Sequence, residues 1–316
     1  MLRMRRVCAL ACLAFVAAGQ DATFRTGVSL VHVEVEVRAE DGRIVDGLKR
    51  EDFRVLDNRT EQPIAQFSSG DEALDLILLF DISGSMQPAV RAVAQAAGVG
   101  LRELRDGDRV AVMVFNSKTR LIAPFTTDLE AVERTIRNDV LNLSFRGATF
   151  IQTAAEMAAR EFMKQPRSHR RRAVLVITDN YGQRTRKEST VVQTLWEADA
   201  LLSALIVRNA ALEARRIAFT IAGPQMLAFQ VGLGGVAEKT GGDMVRGADP
   251  GTAFRDAMRR IRTRYSLYYP MPEAKPGEVR SVTVQLSPEV AERFPKARIR
   301  ARTGYKVPKT GDVTVQ

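Results

Sequence analysis

The hydrophobic pattern of the chain changes its period near residue 70. From Val31 to Val37 apolar and polar residues alternate strictly, which is typical of a strand buried on one face. Further on come four continuous apolar runs, which are typical of strands buried on both faces. These runs are Leu76 to Phe80, Val110 to Phe115, Ala173 to Ile177 and Leu201 to Val207. The pattern predicts a half-buried β unit followed by a deeply buried sheet.

Amphipathic helical patterns lie between and after these runs. They extend from Val90 to Leu104, from Ile151 to Phe162, from about Leu227 to Lys239 and from Phe254 to Ile261. Buried strands that alternate with amphipathic helices predict an α/β fold, with a doubly wound, mostly parallel sheet and helices on both faces. We place this central domain at residues 72 to 270.

The segments on either side of the central domain predict a small antiparallel β unit. Asp41-Gly42 is a hairpin turn signal, and Ser68 to Asp71 breaks the strand pattern and marks the domain boundary. Alternation returns from Val282 to Leu286. We expect the N-terminal part, residues 19 to 71, to pack with the C-terminal part, residues 271 to 316, as one β unit.

Residues 1 to 18 have the layout of a secretory signal peptide. Three arginines precede an apolar stretch from Val7 to Val16, and small residues lead to a cleavage point after Ala18. A lipoprotein anchored at Cys12 and a retained membrane anchor are the alternatives. Cys8 and Cys12 are the only cysteines, so the mature chain has no disulfide, thiolate metal site or cysteine nucleophile. We expect an exported protein, either periplasmic or secreted.

Composition and charge restrict the class of protein further. A chain of 316 residues that is 45% hydrophobic can bury a real core, and the lack of an 18-residue apolar run beyond the N-terminus excludes a multi-span membrane protein. The formal net charge is +10, and it falls to +7 once the signal peptide is removed. The run from Arg167 to Arg172 predicts a solvated loop, with docking on a polyanion as the alternative. His32 and His169 are predicted to be surface residues.

Carboxylates and hydroxyls follow the apolar runs where a parallel sheet binds its ligands, outside the carboxyl ends of the strands. The first run ends in Asp81, which Ser83 and Ser85 follow, and the third run leads to Asp179. Thr149 precedes the second helical pattern. These are hard oxygen donors of the kind that Mg²⁺ prefers. The simpler alternative is that the Asp81 to Ser85 segment caps a helix.

The order Asp-x-Ser-x-Ser, Thr, Asp resembles the metal-ion-dependent adhesion site of von Willebrand factor A (VWFA) domains. The resemblance implies that Ser83 and Ser85 coordinate Mg²⁺ directly, with Mn²⁺ or Ca²⁺ as substitutes. It also implies that Thr149 joins in the ligand-competent state and that Asp81 and Asp179 bind mainly through waters. In such a site, neutral hydroxyls leave the ion able to accept one more anionic oxygen.

The likeness extends to the edges of the site and to the flanks. We expect Met86 and Asn180 on the partner-binding rim. Asn180 and Ala148 depart from the family pattern, because Gly often follows the later Asp of the motif and is also frequent at the position of Ala148. The flanks, Val45 to Leu48 and Arg302 to Tyr305, resemble a bacterial exported VWFA-related family common in acidobacteria.

The function implied by this resemblance is Mg²⁺-dependent protein binding. An exported adhesion or scaffold module would capture an Asp or Glu carboxylate of a protein partner, without nucleic acid and without catalysis. An enzyme is disfavoured because no histidine stands near Ser83 in sequence to act as a general base. Two alternatives stay open, a metal-assisted hydrolase and a basic polyanion or envelope-binding protein.

Overall fold

The structure is a computed structural model that describes residues 29–166, 168–207, 230–247 and 249–308. The predicted signal peptide lies outside these residues.

The strands are β1 (Leu30–Arg38), β2 (Phe53–Asp57), β3 (Thr60–Gln62), β4 (Gln66–Ser68), β5 (Leu74–Asp81), β6 (Arg109–Phe115), β7 (Thr119–Thr126), β8 (Arg171–Thr178), β9 (Gly182–Gln183), β10 (Ala200–Val207), β11 (Gln230–Val231), β12 (Met244–Gly247), β13 (Tyr265–Pro270), β14 (Val279–Leu286), β15 (Arg298–Ala301) and β16 (Gly304–Lys306). The α-helices are α1 (Gln87–Leu101), α2 (Leu129–Arg134), α3 (Ile151–Met163), α4 (Glu188–Glu197), α5 (Gly234–Thr240), α6 (Pro250–Arg262) and α7 (Pro288–Arg293).

A six-stranded sheet forms the centre of the molecule. Its order is β12-β10-β8-β5-β6-β7, and every pair is parallel except β6 with β7. Every residue of β5, β8 and β10 is buried, because helices cover both faces of the sheet. This arrangement confirms the predicted doubly wound α/β fold.

Alternate residues of the central strands face different helices. On β5, Leu78 and Phe80 pack in one core with residues of α1, α2 and α6, whereas Leu79 packs in the opposite core with residues of α3, α4 and α5. The helix expected from about Leu227 to Lys239 is shorter than predicted, since α5 begins at Gly234 and is preceded by β11. Residues 227–229 lie outside the described part. None of the described helices is long and apolar enough to span a membrane.

Two four-stranded antiparallel sheets flank the central domain, in the orders β15-β1-β13-β4 and β16-β14-β2-β3. Both contain strands from the N-terminal and the C-terminal segments, which confirms the predicted flanking β unit. The alternation in β1 has the expected outcome, because Val31, Val33, Val35 and Val37 lie in one buried cluster. β13 falls within the range that we assigned to the central domain, but it pairs with β1 in the flanking unit.

The basic run before β8 is not the solvated loop that we predicted. Arg171 is fully buried and donates to Glu34 Oε2 of β1 at 2.6 Å, and also to the carbonyl oxygens of Ile261 and Arg262 at the end of α6. These bonds attach the flanking unit to the amino end of β8. The prediction failed because the polar face of β1 meets the central domain instead of water.

The neighbours of Arg171 are also committed to the fold. Arg170 pairs with the buried Asp75 at 2.5 Å, and Arg172 donates to the carbonyl oxygen of Ala198 at 3.0 Å. His169 is exposed, as predicted, while Arg167 lies outside the described residues. The arginines from 170 to 172 therefore serve internal contacts, and they do not form the polyanion surface of the alternative interpretation.

His32 is mostly buried, in contrast to the surface position that we predicted. Its Nδ1 lies 2.9 Å from Asp199 Oδ2, its Nε2 lies 3.3 Å from the Ser266 hydroxyl, and its ring stacks on Tyr268. Burial opposes protonation, but Asp199 and further carboxylates outweigh it and raise the pKa of His32. This histidine thus joins β1 of the flank to the loop before β10.

Candidate metal centre

Asp81 ends the buried strand β5, and its carboxylate is held from two sides. Oδ1 accepts a hydrogen bond from the backbone N–H of Ser83 at 2.9 Å, and Oδ2 accepts one from the Thr178 hydroxyl at 2.8 Å. Thr178 ends β8, which runs parallel beside β5. The carboxylate therefore lies at the carboxyl edge of the central sheet with a fixed orientation.

The two serines occupy the loop between β5 and α1. Their hydroxyl oxygens, on Ser83 and Ser85, lie 3.4 Å apart. The N-cap residue of α1 is Met86, whose side chain makes no capping hydrogen bond. The structure therefore does not support the alternative that the Asp81 to Ser85 segment serves as a helix cap.

Met86 does not form the rim that we expected. Its side chain is 1% exposed and belongs to the core between the sheet and α1. The apolar side chain is directed inwards at the helix start because the first turn of α1 packs on the sheet. Met86 is therefore too buried to contact a partner in this structure.

Asp179 completes a cluster with the serine loop, although it lies 94 residues further along the chain. Its Oδ2 accepts a hydrogen bond from the Ser85 hydroxyl at 2.7 Å, and its Oδ1 accepts one from the backbone N–H of Tyr181 at 3.1 Å. Asp81, Ser83, Ser85 and Asp179 are thus connected by hydrogen bonds at one sheet edge.

Thr149 is brought to the same edge by backbone contacts. Its carbonyl oxygen accepts a hydrogen bond from the N–H of Gln183, four residues after Asp179, at 2.9 Å. The same loop is tied to the serine loop, since the N–H of Arg146 donates to the carbonyl oxygen of Ile82 at 3.0 Å. The Thr149 hydroxyl itself makes no hydrogen bond with another residue that the structure describes.

Asn180 has a backbone conformation that explains its residue type. Its φ of 62° lies in the left-handed region, which Gly and Asn adopt at lower cost than most residues. Its Oδ1 accepts a hydrogen bond from the N–H of Leu233 at 2.8 Å, so the side chain connects the Asp179 loop to the start of α5. A contact between Asn180 and a partner stays a prediction.

Burial changes the titration of both carboxylates. Loss of solvation is the main cause that raises the pKa of Asp81 to about 6, and the negative charge of Asp179 contributes to the same effect. Burial also raises the pKa of Asp179. A cation held between these groups would stabilise their ionised forms.

Thr178 is a residue of the site to which sequence analysis assigned no role. Its hydroxyl donates to Asp81 Oδ2 and accepts from the N–H of Asn180 at 3.0 Å, so it joins the two acidic loops. The only signal in the sequence is its position directly after the apolar run from Ala173 to Ile177, because the sequence analysis did not predict which strand lies beside β5. A hydroxyl at that level of a parallel pair lies next to the residue that ends the neighbouring strand.

The donor set fits a hard divalent cation. It offers two carboxylates and three hydroxyls, and oxygen ligands of this kind suit Mg²⁺ better than soft metals. Over the ranges that the structure describes, no group of three or more His, Cys, Asp or Glu side chains is placed to hold a metal ion. A cation at this edge would therefore depend on the hydroxyls of Ser83, Ser85 and Thr149 as well as on the two acids.

Both histidines lie away from this edge. His32 belongs to the flanking strand β1, and His169 precedes the amino end of β8. The serine hydroxyls hydrogen-bond with each other and with Asp179. The arrangement thus provides no histidine base for a serine nucleophile within the described residues.

Several solved structures are similar to this chain at low sequence identity. An aerotolerance-related membrane protein from Bacteroides fragilis is 17% identical, with a TM-score of 0.43, over 60% of this chain and 98% of that chain. BatB, a conserved hypothetical protein from Bacteroides thetaiotaomicron, is 19% identical, with a TM-score of 0.42, over 60% and 97%. A von Willebrand factor type A protein from Catenulispora acidiphila is 13% identical, with a TM-score of 0.44, over 89% and 73%.

A family model gives the more specific result. Residues 76–183 match the model of the von Willebrand factor type A domain, and this range contains all five predicted metal ligands. No curated protein sequence matches the chain. The family match supports a protein-interaction module in general. With the doubly wound sheet, it identifies residues 76–183 of this chain as a von Willebrand factor type A domain.

Proposed function

We propose that this chain is an exported, Mg²⁺-dependent protein-binding module, which acts in adhesion or as a scaffold and carries out no catalysis. The observation that carries the proposal is the hydrogen bond of 2.7 Å between Ser85 and Asp179, which joins the loops after β5 and β8 into one oxygen-rich cluster. The export part rests on residues 1 to 18, whose pattern predicts a signal peptide.

Each residue has a distinct part in the proposed site. Ser83, Ser85 and Thr149 would hold the ion through neutral oxygens, while Asp81 and Asp179 would supply negative charge. A bound Mg²⁺ supplies a Lewis-acidic position for one anionic oxygen from outside, such as a partner's Asp or Glu carboxylate. The buried contacts of Asp81 with Thr178 and with the Ser83 N–H keep the acid oriented without neutralising it.

Thermal unfolding with Mg²⁺ or Mn²⁺, compared with chelator, tests the proposal. A ligand that binds only the native state at 100 times its Kd stabilises by about 2.7 kcal/mol, which corresponds to a rise in Tm of roughly 5–10 °C. We expect this rise in the wild type and its loss in Asp81→Asn. Asp41→Asn removes the same charge from an exposed turn of the flank and should keep the full rise.

The change in Tm on adding metal distinguishes a site that binds a cation from one that keeps only the fold. If millimolar Mg²⁺ and Mn²⁺ leave the wild-type Tm unchanged, the proposed function is wrong. An equal rise in wild type and Asp81→Asn would place the ion elsewhere and contradict the proposal in the same way. Since burial already raises the pKa of Asp81, its replacement by neutral Asn is expected to preserve the fold.

A further inference from the structure

The described loops around the candidate metal centre carry basic side chains and no further acids. These loops are residues 82–86, 116–118, 141–150 and 180–187. Besides the metal ligands Asp81 and Asp179, which border them, their only charged residues are lysines and arginines. The excess of basic residues is greater in these loops than in the whole chain, which contains 47 basic and 37 acidic residues.

A chain of hydrogen bonds holds the backbones of two of these basic residues beside the serine loop. The N–H of Arg146 donates to the carbonyl oxygen of Ile82, and the carbonyl oxygen of Arg146 accepts from Asn116 Nδ2 at 2.9 Å. Asn116 Oδ1 in turn accepts from the N–H of Lys118 at 3.0 Å. Lys118 and Arg146 are therefore held on loops that touch each other and the segment after Asp81.

Two more cations extend this surface on either side. Arg120 lies on β7, one residue beyond Thr119, which pairs with Phe115, and Phe115 pairs with Asp81. Two strand spacings therefore separate the backbones of Asp81 and Thr119, or about 10 Å. On the other side, Arg184 follows Gln183, whose N–H donates to the Thr149 carbonyl oxygen.

We call this surface the basic patch and define it as Lys118, Arg120, Arg146 and Arg184. All four residues are exposed, and none forms an ion pair with a residue that the structure describes. Exposed cations elsewhere often have such partners. Arg54 pairs with Glu61, and Lys239 pairs with Glu188. The basic patch therefore retains positive charge for a group from outside the described chain.

We propose that the basic patch binds an acidic protein segment, in which further carboxylates flank the one captured at the metal centre. This inference rests on the proposed function and adds the class of partner to it. The four cations lie on both sides of a site that accepts a carboxylate, so one extended acidic segment could contact the site and the patch together. Such charge complementarity increases association rates and partner discrimination.

The structure favours a protein partner over a single-stranded nucleic acid. Binding of single strands combines a positive groove with exposed aromatic side chains on which bases stack. On the described loops the aromatic residues are Phe145, Phe150 and Tyr181, and none of them is exposed. The basic patch offers charge without stacking surfaces.

Synthetic peptides provide a direct test. One rhodamine-labelled 12-residue peptide has a single Asp among Gly and Ser, and a second has the same Asp flanked by four Glu. We expect fluorescence anisotropy with Mg²⁺ at 50 mM NaCl to show about 10-fold tighter binding of the acidic peptide. We also expect this preference to shrink at 300 mM NaCl, because exposed charges are screened by salt.

A charge-matched pair of variants isolates the basic patch. Replacing Lys118, Arg120, Arg146 and Arg184 with Gln should remove most of the preference, yet preserve the Mg²⁺ rise in Tm and the binding of the single-Asp peptide. The control replaces four exposed cations of the flanking unit that form no ion pair in the described part of the chain. The control positions are Arg50, Arg59, Lys275 and Arg298. This control should keep the preference.

The outcomes distinguish this inference from the proposed function. If Mg²⁺ promotes binding of neither peptide, the proposed function itself fails. If both peptides bind equally with Mg²⁺, or if the patch variant keeps the full preference, only the acidic-segment inference is overturned. Equally tight binding of a dT12 oligonucleotide or phosphatidylglycerol vesicles in chelator would also overturn it. Should the fourfold variant fail to fold, the wild-type preference for the acidic peptide at 50 and 300 mM NaCl tests the inference instead. A preference that does not shrink at 300 mM NaCl would overturn it.

Discussion

At the residue scale, the candidate centre depends on buried polar groups that hydrogen-bond with more than one neighbour. Thr178 contributes one hydroxyl to two loops, since it donates to Asp81 and accepts from the N–H of Asn180. A buried acid without such partners loses stabilisation of its ionised form. The five predicted ligands could be found from residue type and order, but Thr178 could not, because its role depends on the pairing of β5 with β8.

Thr178→Val should weaken metal binding without removing any predicted ligand. Valine keeps the shape of the side chain but neither donates to Asp81 nor accepts from Asn180, so we expect roughly 10-fold weaker Mn²⁺ binding and a loss of about 1–2 kcal/mol in stability. Mn²⁺ titration followed by electron paramagnetic resonance, together with urea unfolding, measures both. Thr178→Ser keeps the hydroxyl and should bind as wild type does. Unchanged Mn²⁺ affinity in the valine variant would show that the hydroxyl does not position Asp81.

At the element scale, the apolar runs predicted β5, β6, β8 and β10 because strands covered on both faces contain few polar residues. The same reasoning missed the role of Arg171. Sequence periodicity identifies the polar face of β1, but it cannot show that another domain covers that face. Glu34 and Glu36 were therefore expected in water, whereas they are buried against arginines.

Arg171→Met should destabilise the protein by about 3–5 kcal/mol, because it leaves Glu34 buried without its closest charged partner. Urea unfolding measures the change. Arg54→Met removes an arginine from an exposed pair with Glu61 and should cost less than about 1 kcal/mol. The double variant Arg171→Met with Glu34→Leu should recover part of the loss. Equal costs for the buried and exposed arginines would contradict this account of the interface.

At the scale of the whole molecule, ion pairs attach the flanking unit to the central domain. Asp243, just before β12, is paired with Arg38 of β1 at 2.5 Å, with Arg260 of α6 at 2.7 Å and with Arg300 of β15 at 3.2 Å. These arginines overcome the effect of burial and lower the pKa of Asp243 to about 2. One carboxylate thus links both flanking segments with the central domain.

The pKa of Asp243 predicts a specific loss of stability in acid. The folded pKa of about 2 lies below the ordinary value of 3.8, so the stabilisation is complete above pH 5 and is lost as the pH falls towards 2. This group alone contributes roughly 2 kcal/mol. Urea unfolding at pH 7, 5, 4 and 3 measures the decline. Asp243→Asn should be less stable at pH 7 and should show a shallower decline, whereas identical slopes would assign the acid sensitivity to other groups.

The flanking sheets and the candidate centre lie at opposite poles of the central strands. The flank is fastened where β8 begins, at Arg171, whereas the oxygen cluster lies where it ends, at Thr178. Seven residue steps of extended strand separate these positions, or roughly 23 Å. A linker or solid support joined before Leu30 or after Lys306 would consequently emerge from the flanking sheets. Immobilisation through the flanking sheets would leave the pole with the candidate metal centre facing the bulk solution.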